Sequence, residues 1–144
     1  MLFRSSLGGQ RFTTAFFADF DAATRTLSYI RAGHNVPVLR RARGELERLE
    51  AGDLPLGIRG GRNFASGSTS LLPGDLLVIF TDGVIEAIND HGEEFGEGRL
   101  LEAVRTLPPH SALATLERLT SAVDSFVGTT RQHDDITWLL LRVE

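Results

Sequence analysis

Hydrophobic and polar positions along this chain change period twice. From residue 13 to 33, TTAFFADF and TLSYIRAG are β-rich runs separated by the polar connection DAATR, the pattern of an antiparallel hairpin. VPVLRR and ELERLE flank Ala42, Arg43 and Gly44 and predict a second hairpin. Residues 51–62, AGDLPLGIRGGR, hold four glycines and a proline and read as an irregular loop able to move against its neighbours. Residues 63–72 are polar and β-compatible, and Pro73-Gly74 marks a tight turn before the continuous apolar run LLVIF, a strand buried on both faces.

The period then lengthens. In GEGRLLEAVRTL, Leu100, Leu101, Val104 and Leu107 share one helical face, closed by Pro108-Pro109. In SALATLERLTSAVDSFVG, Ser111 caps a helix whose stripe is Leu113, Leu116, Leu119, Val123, Phe126 and Val127, with Gly128 as its stop. ITWLLLRV returns to the core as a last buried strand. Strands first and helices later predict an α+β fold with mainly antiparallel pairing.

At 144 residues the chain has the length of one domain. Its composition, 42% hydrophobic and 24% charged, is that of a folded protein and excludes overall disorder. A net charge of -4 with interspersed signs offers no field for a phosphate backbone, so no nucleic-acid partner is expected. The four Arg of RRARGELER read as a solvated hairpin tip. Cysteine is absent, which removes disulfides, thiolate metal sites and a cysteine nucleophile, and fits a cytoplasmic setting. Apolar runs are strand-sized, so no membrane span is expected. MLFRSSLGGQ, residues 1–10, lacks a secretory pattern and reads as a mobile leader to a domain over 11–144.

Two of the apolar strands carry acid at one end. LLVIF is followed by Thr81, Asp82 and Gly83, and ITWLLL is preceded by Asp134 and Asp135. A carboxylate beside a core is costly to desolvate unless it meets a cation or several donors. Paired side by side, the two strands would converge Asp82 with Asp134 and Asp135. Such an oxygen cluster suits Mg²⁺ or Mn²⁺, and paired ions turn a bridging water into a nucleophile for phosphorus. Gly83 would let the backbone turn sharply there. The same residues also read as ordinary turn chemistry: Asp before Gly is a turn signal, and Asp135 can cap its own backbone. His34 reads as a turn or core histidine, and His91 and His133 have no second imidazole placed near them.

The ordered blocks FTTAFFADFDAATRTLSYIRAGHNVPVLRR, LPLGI, LLPGDLLVIFTDGVIEAIND, EEFGEGRLLEAV and QHDDITWLLLRVE resemble the SpoIIE/RsbU-type branch of the PPM (PP2C-like) serine/threonine phosphatases. The resemblance implies a β-sandwich of two antiparallel sheets flanked by helices. It also implies a bacterial Mn²⁺- or Mg²⁺-dependent phosphatase acting on phosphoserine or phosphothreonine of an anti-anti-sigma protein of the STAS type. By matching blocks, Asp82 and Asp134 take the places of metal ligands and Asp135 stands behind them or caps the turn. No side chain is assigned a catalytic role of its own.

Family members open with strands, an Asp-x-x-Gly-His-Gly motif and two long helices, whereas this chain begins after them, and AGHN at residues 32–35 is no substitute. A partial PPM-type domain predicts weak or single-ion binding, little catalysis alone, and exposed sheet edges that favour a homo-oligomer. The alternative is a non-catalytic PPM-derived binding or regulatory module.

Overall fold

The computed structural model describes residues 12–58, 61, 63–108, 111–131 and 134–144. The expected leader, residues 1–10, lies outside them. The order of elements is β1 (Ala15–Asp21), β2 (Thr26–Ala32), β3 (Val38–Arg40), β4 (Leu46–Arg48), β5 (Gly52–Asp53), β6 (Ser66–Ser70), β7 (Leu76–Phe80), α1 (Asp82–Ile85), α2 (Gly96–Thr106), α3 (Ala112–Val127) and β8 (Trp138–Arg142). The α+β class is observed, and every strand pair among the described residues is antiparallel except β2 with β5. These elements form two units, residues 1–36 with 49–71 and residues 37–48 with 72–144.

In the first unit β2 is central, flanked by β1 on one side and by β6 and β5 on the other. The β1–β2 hairpin closes where the carboxylate of Asp21 accepts from the N–H groups of Ala23 and Thr24, at 2.8 and 3.3 Å, an Asx turn that DAATR supplies. Leu27 and Tyr29 are buried, and Phe16 stacks on Tyr29 with ring centroids 5.7 Å apart. Gly67 sits opposite Tyr29 because any β-carbon there would meet the phenol ring at 2.4 Å.

The glycine-rich loop is tied down at several points. Gly52 and Asp53 pair with β2, the Gly33 N–H donates to the Asp53 carbonyl at 2.8 Å, and Leu56 exchanges two backbone hydrogen bonds with Thr13. Gly33 has φ +64°, and a β-carbon on it would lie 2.3 Å from the Pro55 ring. Leu54, Leu56 and Ile58 of this loop point to solvent.

The second unit is a sheet of order β4-β3-β7-β8 with helices packed on one face. Val38, Leu76, Val78 and Phe80 from the sheet meet Leu100 and Val104 of α2 and Leu119, Val123 and Val127 of α3. Each such side chain, fully buried, contributes about 1.5–3 kcal/mol of transfer free energy. Ser111 caps α3 as expected, its hydroxyl accepting from the Ala114 N–H at 3.2 Å, and Gly128 ends it with φ +65°. At the base of the β3–β4 hairpin, Asp75 is buried and accepts from Arg41 and from the N–H groups of Ala42 and Leu72.

Two expectations are corrected and one element is added. The C-terminal run is an edge strand rather than a second buried one: Trp138 and Leu140 turn to the helices, while Leu139 is 55% exposed. A continuous apolar run hides the strand period, so the sequence does not show that one face of this strand is open. Leu113 lies off the α3 stripe at 66% exposure, and Thr115 takes the buried position one turn before Leu119. The residues after β7 form a single helical turn, α1, too short for a periodic signal. No helix among the described residues is long and apolar enough to cross a membrane.

Candidate metal centre

Antiparallel pairing of β7 and β8 sets the carboxyl end of one beside the amino end of the other, with Phe80 opposite Trp138 as the last rung. Thr81 carries the contact one residue further. Its N–H donates to the Thr137 carbonyl at 3.2 Å, its hydroxyl donates to the Asp135 carbonyl at 3.3 Å, and the same hydroxyl oxygen accepts from the Thr137 N–H at 3.0 Å. Residues 54 positions apart in the chain are thereby fastened together. Asp82 follows at once as the first residue of α1, and the Asp134-Asp135 pair lies just ahead of β8.

The two acidic motifs thus stand at one end of one strand pair. Asp82 is exposed, and among the described residues its carboxylate accepts no hydrogen bond. Asp134 is exposed too, and its Oδ1 accepts from the Asp135 N–H at 2.8 Å. The local cap is therefore made by Asp134, not by Asp135. Gly83 also plays a different part from the sharp turn expected of it: it is buried within α1, outside the positive-φ region, and a β-carbon there would stand 2.3 Å from the Asp135 carbonyl oxygen.

Among the described residues the histidines contribute no imidazole pair. His34 belongs to the first unit, where its carbonyl accepts from Arg31 at 3.0 Å. His91 is exposed in a turn organised by Asn89, whose Oδ1 accepts from the N–H groups of His91 and Glu93. His133 lies outside the described residues.

The donors available at this end are hard carboxylate oxygens in contact with water. Mg²⁺ keeps several waters and is commonly bound through one or two carboxylates, so Asp82 and Asp134 fit as part of such a shell. Among the described residues no group of three or more His, Asp or Glu side chains could hold a metal on its own. The residue that sequence reasoning passed over is Thr81; its only signal was its place between a buried strand and Asp82.

The same arrangement of strands and helices occurs in known phosphatases. The SiaA-PP2C domain of Pseudomonas aeruginosa superposes with a TM-score of 0.81 over 91% of this chain and 52% of that one, at 22% identity, which defines the fold as that of PP2C-type phosphatase domains. In sequence, the chain is 32% identical over 130 residues to protein IcfG of Synechocystis sp., covering 89% of this chain and 20% of that protein. It is 28% identical over 134 residues to the phosphoserine phosphatase RsbU of Bacillus subtilis, covering 91% of this chain and 39% of RsbU. The chain therefore spans well under half the length of these curated relatives. The family model of stage II sporulation protein E (SpoIIE) matches residues 2–144, and the chain belongs to that family.

Proposed function

We propose that this chain supplies the Asp82–Asp134 portion of a Mn²⁺- or Mg²⁺-dependent protein phosphatase that hydrolyses phosphoserine or phosphothreonine on an anti-anti-sigma protein of the STAS type in the bacterial cytoplasm. The observation that carries the reading is the shared strand end at which both acidic motifs of a SpoIIE-family chain meet. The phosphoserine phosphatase activity named for RsbU supports the substrate class.

Asp82 and Asp134 would hold the cation through carboxylate oxygens, offsetting its charge at a solvent-exposed edge. A metal bound there would supply an acidified water and stabilise charge developing on the phosphoryl oxygens. Thr81 and Gly83 keep the two acidic segments together, and Asp135 stays behind them with its carbonyl engaged. No cysteine is available as a nucleophile. The test is phosphate release from a phosphoserine STAS protein with Mn²⁺, comparing the wild-type chain with Asp82→Asn and Asp134→Asn. Loss of activity in both supports the assignment, and activity unchanged in both removes it.

A second reading, a non-catalytic module that binds such a protein or a copy of itself, draws on one observation: no group of three ligating side chains forms among the described residues. Its self-binding form would use β1, which among the described residues ends its sheet and exposes Phe17. Calorimetric titration separates the two, because a module of this kind takes up no Mn²⁺ at millimolar concentration. Light scattering that shows a monomer at all concentrations rules out self-binding.

A further inference from the structure

We propose that Thr81 is a positioning residue whose hydroxyl sets the spacing between the two acidic segments. The proposal rests on the metal-site reading above for its purpose, but its geometry stands apart from it. The β7–β8 ladder ends at Phe80 and Trp138. Beyond that rung the chain after β7 turns into α1, where the main-chain groups of Asp82 and Thr81 serve the helical turn, the Thr81 carbonyl accepting from Val84 at 3.0 Å and the Asp82 carbonyl from Glu86 at 2.9 Å. The main chain adds one more bond across the gap, from the Thr81 N–H to the Thr137 carbonyl at 3.2 Å, while the Thr81 and Asp82 carbonyls are engaged in α1.

One side-chain oxygen takes their place. The Thr81 hydroxyl accepts the Thr137 N–H and donates to the Asp135 carbonyl, so it uses both of its hydrogen-bonding capacities across the gap. Threonine suits the task because branching at Cβ restricts χ1, so the hydroxyl samples fewer directions than an unbranched side chain would allow. Immediately beside it, Gly83 lets α1 approach the same Asp135 carbonyl. Asp82 lies between these two contacts in the chain, and Asp134 precedes the carbonyl they share. Loosening the hydroxyl contact would separate the carboxylates without removing either one.

The experiment uses the full 144-residue chain. Thr81→Val keeps the shape and removes both hydrogen bonds, whereas Thr81→Ser keeps the hydroxyl. Amide exchange at Thr137, followed by NMR, is expected to quicken about fivefold in Thr81→Val and to stay within twofold of wild type in Thr81→Ser. Mn²⁺ affinity, read from the free-ion EPR signal, is expected to weaken about tenfold in the valine variant and to recover in the serine variant. Ser111→Ala, which removes the cap of α3, serves as the control for stability alone and should leave Mn²⁺ affinity unchanged.

Wild-type exchange and wild-type affinity in Thr81→Val would overturn the proposal. So would a serine variant whose exchange quickens about fivefold and whose affinity weakens about tenfold from wild type, since the hydroxyl it keeps would then not suffice; this arm, read against wild type, decides even if Thr81→Val does not fold. If the wild-type chain takes up no Mn²⁺, the metal-site reading fails, and the exchange data alone uphold or overturn the role of the hydroxyl.

Discussion

The β-carbon that Gly83 lacks would stand 2.3 Å from the carbonyl oxygen of Asp135. Real β-carbons do not approach a carbonyl oxygen so closely, so the first turn of α1 and the segment leading into β8 can lie together only with glycine at this position. A glycine at a strand end is usually read as freedom to turn, yet Gly83 has ordinary helical backbone and its use is close approach. Asp82 precedes that contact, and Asp134 precedes its other half.

Gly83→Ala should therefore act on both stability and the acidic edge. The added methyl meets backbone rather than a flexible side-chain end, so either α1 or residues 134–136 must shift. Overpacking of this kind costs about 1–3 kcal/mol. Urea unfolding followed through Trp138, the single tryptophan, measures it, because Trp138 sits on the last rung opposite Phe80. An unfolding midpoint equal to wild type would show that the two segments do not abut as described.

Much of this architecture was legible in the sequence, and the exceptions have physical causes. Asp21 in DAATR and Gly44 after Arg43 announced both hairpins because turns depend on local chemistry. Ser111 and Gly128 bounded α3 for the same reason. Long-range choices were less visible: whether ITWLLL is central or an edge depends on what lies beside it, and Leu139 is exposed because alternate side chains of a strand face opposite ways and the helices cover the face of Trp138 and Leu140. Thr115 displaced Leu113 from the buried stripe because the face of α3 is set by what it packs against, not by apolarity alone. At the candidate site Asp82 and Asp134 stood out as acids at strand ends, but their meeting required the β7–β8 register. Thr81 was marked only by its place between a buried strand and Asp82, and a threonine there is unremarkable until its partners are known.

Asp75 should prove the most sensitive charged residue for stability. Its side chain is 3% exposed and accepts from Arg41 at 2.8 Å and from the N–H groups of Ala42 and Leu72, both at 3.0 Å. Arg41 in turn forms a two-point contact with Glu47, and these contacts, that with Glu47 foremost, hold its guanidinium above its ordinary value, so it stays charged throughout the accessible range. Removing one member of a buried pair leaves the other unpaired, so Asp75→Ala is expected to cost about 3 kcal/mol. Differential scanning calorimetry would contradict this if the variant melted with the wild type.

Asp21 offers a pH signature in the first unit. Hydrogen bonds from the backbone of Ala23 and then Thr24 hold its carboxyl below the ordinary 3.8. A carboxyl depressed by folding contributes stability that is complete above its unfolded value and drains away as pH falls through its folded one. The effect therefore lies below about pH 4, and Asp21→Asn should flatten the acid limb of the stability curve there while changing little at pH 7. NMR titration of the Asp21 carboxyl gives the direct check; a midpoint at or above 3.8 would contradict the Asx turn.

Asp82 and Asp134 should separate when stability and metal uptake are measured together. The Asp82 carboxylate is exposed and has no hydrogen-bond partner among the described residues, so Asp82→Asn should leave unfolding within about 0.5 kcal/mol of wild type. Asp134 caps the Asp135 N–H, so Asp134→Ala should cost about 1 kcal/mol through loss of that bond. If both are cation ligands, Mn²⁺ uptake should fall in both variants alike, which no account based on turn capping alone would give. Titration of the two variants by EPR, beside urea unfolding of each, makes the comparison. Mn²⁺ uptake lost only in Asp134→Ala would mark the acidic pair as a structural turn and leave Asp82 outside any metal site.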